Sequence, residues 1–408
     1  MQRIRMSLPY FQALGWHAEV VTITPEYSDL PQDELLLQSV PHSIKIHYVK
    51  ALSKSFTSKV GLGSIALRSL WYYRQKVNNI LKQQKFDLIY FSTTQFPVCI
   101  LGAYWKKRFG VPYVIDMQDP WHSDYYINKP KSQRPPKYWF AYRLNKYLEP
   151  LAIKNVDGLV SVSSAYIDQL KSRYPVIKNI LAAVITFGAF APDLQIAKDN
   201  QDQFTSLLNS KYFNIAYVGR GGKDMHKAIS PVFEVFKKAL EHNFEQFSKI
   251  RFHFIGTSYA PAGQGTATIL PLAQQFGIEN YIVEVTDRIS YYHTLLTLQQ
   301  ANALFIPGSD DPQYTASKIF PYLLTGKPVL AVFNKASSAI PIMEEYGVQH
   351  TYNYDKVSPE QLSDFFNQLV NDTFNAVDYN ADAIKKYSAA EMTRAQCHLF
   401  DKIVNAGN

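Results

Sequence analysis

Directly after the apolar run Phe213–Val218 the chain reads Gly219-Arg220-Gly221-Gly222-Lys223-Asp224-Met225-His226-Lys227, with three glycines and three cations in nine residues. Glycine lets a backbone amide approach an anion closely, and a guanidinium can grip two phosphate oxygens at once. Arg220 is therefore a candidate anion ligand, Gly219, Gly221 and Gly222 form the turn that carries it, and Lys227 (before Lys223) adds a point charge. A plain glycine turn with exposed cations would read the same way. No G-x-G-x-x-G follows this strand, which argues against a nicotinamide cofactor. A second segment, 307–331, runs from a polar loop into a helix at 317–324, a Gly326 stop and an apolar strand. Backbone N–H groups at a helix start favour phosphate. Tyr314, Ser317 and Lys318 thus join Arg220 as candidates to hold a diphosphate at the carboxyl edge of a parallel sheet.

Two further turns share that edge. Ile255-Gly256-Thr257-Ser258-Tyr259 is a strand followed by small residues, and Val285-Thr286-Asp287-Arg288-Ile289-Ser290 joins a strand to a helix. Arg288 suits either an anionic ligand or a structural ion pair. In the first half, Tyr113-Val114-Ile115-Asp116-Met117-Gln118-Asp119-Pro120-Trp121-His122 ends a buried strand in two carboxylates, an indole and an imidazole. Polar groups at the carboxyl end of a central strand usually face the ligand crevice of open α/β sheets. Asp119 and His122 are the candidate catalytic pair, able to orient a hydroxyl or take its proton. Gln118, Trp121 and the hydroxyls Thr93 and Thr94 are candidates for binding the hydroxylated partner. A capped turn around a buried Trp is the plainer alternative, and Asp116 suits a structural cap.

The elements that must position these groups alternate regularly. Strand-length apolar runs fall at 18–24, 44–49, 88–91, 113–115, 158–162 and 184–186, with helical patterns at 64–84, 98–109, 140–155 and 165–174. The second half repeats this with strands at 213–218, 250–255, 281–285, 303–306 and 328–333, and helices at 228–242, 267–276, 291–300, 317–324 and 337–345. Helical patterns at 359–369 and 381–403 follow. Such alternation predicts βαβ units and parallel sheets. The length predicts two domains, and residues 192–206, polar and weakly patterned, predict the join. The expected organisation is an amino-terminal Rossmann-like domain at 1–195, a carboxy-terminal one at 196–385 and a closing helix at 386–408 that crosses back. The amino terminus already looks helical before Gly15. Either the first sheet lacks its usual first strand or the chain begins downstream of its natural start, and the second reading is favoured.

These segments resemble two-domain retaining glycosyltransferases of the GT-B fold, group 1 or family 4 type, acting on bacterial surface polysaccharides. The resemblance implies two doubly wound Rossmann-like domains facing a cleft. It implies a nucleotide-diphosphate sugar as donor, bound by Gly219, Arg220, Gly221, Gly222, Lys227, Arg288, Ile289, Tyr314, Ser317 and Lys318. The main chain of Ile289 would lie beside the base. It implies a carbohydrate or lipid-linked acceptor on the first domain, and neither metal nor organic cofactor. The Asp-x-x-Asp-x-Trp spacing of 116–121 also occurs in such enzymes. One departure stands out: aligning Thr325-Gly326-Lys327-Pro328-Val329 on the family's Gly-x-Pro-Val stop puts Gln313 and Pro321 where the family carries two glutamates. That departure supports a catalytically silent GT-B protein as an alternative, with a sugar-nucleotide epimerase as a second.

Charge adds a partner expectation. The net charge is +8, but residues 1–190 hold 24 Lys and Arg against 12 Asp and Glu, leaving 18 against 22 in the rest. A basic first half predicts peripheral contact with an anionic membrane face or lipid-linked phosphate, or simply a solvated basic surface. Nucleic acid is not expected, because no reading motif accompanies the charge. Two cysteines without metal-type spacing and no long apolar run predict a cytoplasmic protein, at most at the inner membrane face.

Overall fold

The computed structural model describes residues 2–28, 33–57, 63–124, 126–127, 130–131, 134, 138–310, 319–374 and 379–407. It divides into two compact units, Met1–Gly188 with Ala389–Asn408, and Ala189–Ser388.

In the first unit, β1 (Glu19–Ile23) and β2 (Lys45–Val49) form a two-stranded parallel sheet. A four-stranded parallel sheet follows in the order β3 (Ile89–Ser92), β4 (Tyr113–Met117), β5 (Gly158–Ser161), β6 (Leu181–Val184). Every residue of β4 and β5 is buried, as a parallel sheet covered by helices on both faces requires. Burying each large apolar side chain contributes about 1.5–3 kcal/mol, so Val114, Ile115 and Leu159 anchor this layer. The amino-terminal segment is helical over Gln2–Phe11, and Gly15 closes it at φ 82°, where a side chain would be strained. Strand β6 ends where sequence reading expected it to begin. It is an edge strand with Leu181 and Val184 exposed, so its apolar pattern is weak.

The second unit is a six-stranded parallel sheet in the order β12-β11-β10-β7-β8-β9. Its strands are β7 (Phe213–Val218), β8 (Ile250–Ile255), β9 (Ile282–Val285), β10 (Ala303–Pro307), β11 (Val329–Phe333) and β12 (His350–Asn353). Phe236 on the helix His226–His242 packs edge-on against Phe252 of β8 and Phe366 of the helix Pro359–Asn371, at 5.1 and 5.7 Å. The strand order reverses between β7 and β10, which makes their carboxyl ends the natural crevice for a ligand.

Three local expectations change. Residues 192–199 are the helix Pro192–Asp199, held by buried Asp193, which accepts the hydroxyls of Tyr291 and Tyr292 at 2.9 and 3.0 Å. Strand β12 was not anticipated, because His350, Thr351 and Asn353 dilute its pattern. The pattern at 381–403 is two helices, Ala381–Lys386 and Ala389–Gly407, broken where the chain leaves the second unit. There Ala189 and Ser388 form a parallel bridge, so that unit's entry and exit lie side by side.

Candidate functional site

At the switch point of the second unit, the turn after β7 and the loop after β10 are tied together by one side chain. Asp224 receives both ends of the Arg220 guanidinium, Nη1 at 3.1 Å and Nη2 at 2.5 Å, and the Ser309 hydroxyl at 2.7 Å. Its own backbone carbonyl accepts the Asp310 N–H at 2.8 Å. Burial pushes the Asp224 carboxyl up, but hydrogen bonds from Arg220 and Ser309 and the nearby positive charge outweigh it and leave it below the usual carboxylate range. The Arg220 and Asp224 side chains remain 27% and 29% exposed, so a ligand can reach the pair. Tyr322 reinforces the junction from the helix Ile319–Leu324: its hydroxyl accepts the Val218 N–H at 2.8 Å and lies 3.1 Å from the Val218 carbonyl.

The glycines serve closeness more than anion capture. Gly219 and Gly221 donate their N–H groups to the Ile255 and Thr257 carbonyls at 2.9 and 2.8 Å, carrying the β7–β8 ladder past the strand ends. A Cβ on Gly221 would lie 2.9 Å from side-chain atoms of Thr257 and Thr268. Gly222 stands between Arg220 and Asp224, and Lys227 is exposed with its ammonium 6.0 Å from the Tyr354 ring. Gly256, just past the end of β8, has φ 75°, and a Cβ built on it would lie 3.7 Å from the Arg288 Cα. The Arg288 guanidinium stacks over Tyr259 at 4.6 Å, and Ile289 packs against the core. Glu284 fixes this edge by accepting the N–H groups of Thr268, Ile269 and Leu270 and the Thr257 hydroxyl, at 2.7–3.0 Å. Nothing in its sequence spacing marked that role. Tyr314, Ser317 and Lys318 lie outside the described residues, as does Gln313. Pro321 sits in the helix Ile319–Leu324 with no group able to accept a hydrogen bond from a sugar hydroxyl.

The first unit holds a separate cavity of about 540 Å³. Thr94, Asp119 and Trp121, all singled out in the sequence, line it together. Gln95, Phe96, Phe140 and Asn145, not singled out, complete its polar and aromatic walls. Trp121 is fixed there: its indole N–H donates to Asn145 Oδ1 at 3.1 Å and its ring stacks on Phe96 at 5.6 Å. Asp119 is exposed on the rim, yet the surrounding protein pushes its carboxyl up, the direction a general base near neutral pH needs.

The other first-unit candidates have different partners. Thr93 caps its own turn by accepting the Gln95 N–H at 2.9 Å. Gln118 donates to Asp116 Oδ2 at 2.6 Å and to the Ser92 hydroxyl at 3.2 Å. His122 is buried beneath the Tyr142 ring at 4.6 Å, with neither ring nitrogen in a hydrogen bond among the described residues. Burial first, then the Arg173 charge, holds it below the ordinary imidazole range. Its backbone N–H donates to the buried Glu149, which also receives Arg173 and the Tyr174 hydroxyl. Asp116 is the structural residue of this edge. Its Oδ2 lies 2.8 Å from the Nε of buried Arg3, whose Nη2 and Nη1 donate to the Ile185 and Thr186 carbonyls.

The sequence model of Glycosyltransferase Family 4 matches residues 6–185. No curated protein matches the sequence. Among solved structures, HepE of Anabaena, crystallised in complex with UDP, is 15% identical, with 98% of this chain and 94% of that one covered at a TM-score of 0.52. The N-terminal domain of Candida albicans trehalose-6-phosphate phosphatase is 10% identical, with 100% and 92% covered and a TM-score of 0.52. Residues 6–185 resemble the glycosyltransferase family 4 sequence model, and the likeness of nearly the whole chain to these solved structures shows a two-domain Rossmann-like GT-B fold.

Proposed function

We propose that the protein transfers a sugar from a nucleotide-diphosphate donor to a carbohydrate or lipid-linked acceptor, in the assembly of a surface polysaccharide and with retention at the anomeric carbon. The observation that carries this reading is the Asp224 knot, which brings the Arg220 turn and the β10 loop to the crevice between β7 and β10. In this reading the guanidinium, with Lys227, neutralises the leaving diphosphate, so the developing negative charge meets fixed positive charge and no metal is required. UDP, bound in the HepE structure, is the first nucleotide to try. The cavity lined by Thr94, Asp119 and Trp121 takes the acceptor, with Asp119 receiving its proton.

A second reading has one specific observation behind it. Pro321 occupies the position of a family glutamate and offers no acceptor for a sugar hydroxyl, which favours a protein that binds the donor without turning it over. Calorimetric titration of the full chain with UDP-, GDP- and dTDP-sugars, beside Arg220→Ala, tests both. Saturable binding weakened at least tenfold by the substitution, with sugar release or transfer, supports the enzyme. The same binding with no release on any acceptor supports the silent protein, and no binding to any nucleotide overturns both.

A further inference from the structure

One helix of the first unit, Tyr138–Ile153, has two functional-looking sides. Phe140, Ala141, Leu144 and Asn145 line the cavity, and Leu148, Ala152 and Ile153 enter the core. The remaining side carries Trp139, Arg143, Lys146, Tyr147 and Leu151, with Lys154 just beyond, all exposed and spaced to share one face. Trp139 is 64% and Tyr147 68% exposed, far more than a monomer's surface needs of such rings. The Arg143 guanidinium lies 5.6 Å from the Trp139 ring and so travels with it. The helix has a single acid, Glu149, and it is buried against Arg173. In sequence, 125–148 contains Lys129, Lys131, Arg134, Lys137, Arg143 and Lys146 and no Asp or Glu. No helix among the described residues is long and apolar enough to cross a membrane, so this face would lie on a surface.

We infer that this helix face seats the protein on an anionic lipid bilayer, with Trp139, Tyr147 and Leu151 in the headgroup layer and Arg143, Lys146 and Lys154 on lipid phosphates. Amphipathic rings settle at that depth and long cationic stems reach from it to the headgroups. Charge complementarity selects this occupant: the face is cationic without a carboxylate, as a negatively charged leaflet requires. Because the same helix lines the cavity, a lipid-linked acceptor would reach Asp119 from the bilayer surface. That last step rests on the proposed transferase reading, whereas the docking itself does not.

The test is co-sedimentation of the full chain with vesicles of phosphatidylcholine alone, or with one-quarter phosphatidylglycerol, at low and high salt. Binding is expected only to the anionic vesicles and is expected to fall with salt. Each basic residue near the surface contributes about fivefold, so Arg143→Glu/Lys146→Glu should weaken binding by about thirtyfold or more. Trp139→Ser/Tyr147→Ser should weaken it about tenfold. Both variants should melt like the parent and bind nucleotide like the parent, because none of the four residues touches the core or the cavity. Equal binding to neutral vesicles, no binding to anionic ones, or full binding by both variants overturns the inference. So does a concentration-dependent dimer that Trp139→Ser/Tyr147→Ser dissolves, which would give the face to a second copy. Vesicle binding without nucleotide binding would sink the transferase reading and leave the docking face standing.

Discussion

Each unit places an Asp–Arg pair at the carboxyl end of a parallel strand, and the two pairs do opposite things. Asp116 and Arg3 are both fully buried, and their remaining hydrogen bonds go to Ser92, Gln118 and the Ile185 and Thr186 carbonyls. Burial raises the Asp116 carboxyl despite the pull of Arg3. Burial seals that pair away from any ligand. Asp224 and Arg220 are more than a quarter exposed and sit four residues apart on one turn. There the carboxylate presets the guanidinium, and the pair stays open to solvent. Sealing makes one charge pair part of the scaffold, while partial exposure leaves the other within reach of solvent.

The sharpest way to break this contrast is to remove one partner of each pair. Asp116→Ala leaves the Arg3 charge buried and unpaired, which should cost about 3–5 kcal/mol of unfolding free energy. Urea unfolding followed by tryptophan fluorescence measures it. The double substitution Arg3→Met/Asp116→Leu should cost less than Asp116→Ala alone, because no charge is stranded. A single-substitution loss below about 1 kcal/mol would mean that water reaches the pair and that sealing is not what distinguishes it.

Backbone closeness at the second unit's crevice gives the next effect. A Cβ on Gly308 would stand 2.9 Å from the Phe333 Cα and 3.1 Å from the Val332 carbonyl oxygen, and backbone cannot rotate away. Gly308→Ala should therefore cost about 1–3 kcal/mol. At Gly221 the close atoms belong to the side chains of Thr257 and Thr268, which can rotate, so Gly221→Ala should cost less than Gly308→Ala. Parallel thermal melts order the two, and the reverse order would show that the β7 turn, not the β10 loop, is the rigid half of the crevice.

The alternation of strands and helices was legible because buried parallel strands are dominated by apolar residues, throughout in Val329–Phe333 and at every position but Asp116 in Tyr113–Met117. The Gly219–Arg220–Gly221–Gly222 turn was legible for the same local reason: residue type and spacing announce it. What the sequence hid was partnership across the fold. Asp224 reads as an ordinary turn acid, and only strand order brings Ser309 and Asp310 to it from 85 and 86 residues away. The helix Pro192–Asp199 looked like linker because its stability leans on Asp193 meeting two distant tyrosines. His122 looked poised for proton transfer, but chain direction after Pro120 turns its ring under Tyr142 while Asp119 and Trp121 face the cavity.

A smaller effect separates the pairs by acidity. The Asp224 carboxyl is held below its ordinary range, so the folded state releases this proton more readily than the unfolded chain. Its stabilising contribution is therefore complete above the ordinary carboxylate pKa of about 4 and is lost as pH falls below that value, through the folded one. Asp224→Asn keeps the side-chain shape, cannot titrate, and gives up the charge in its bonds with Arg220 and Ser309. Because the pair is partly solvated, the difference from the parent should be only about 1 kcal/mol at pH 7. It should shrink as pH falls from 7 through the ordinary carboxylate value of about 4 and below it. Urea midpoints of parent and variant across that range provide the measurement. A difference that stayed constant with pH would show that the Asp224 charge plays no part in joining the two loops.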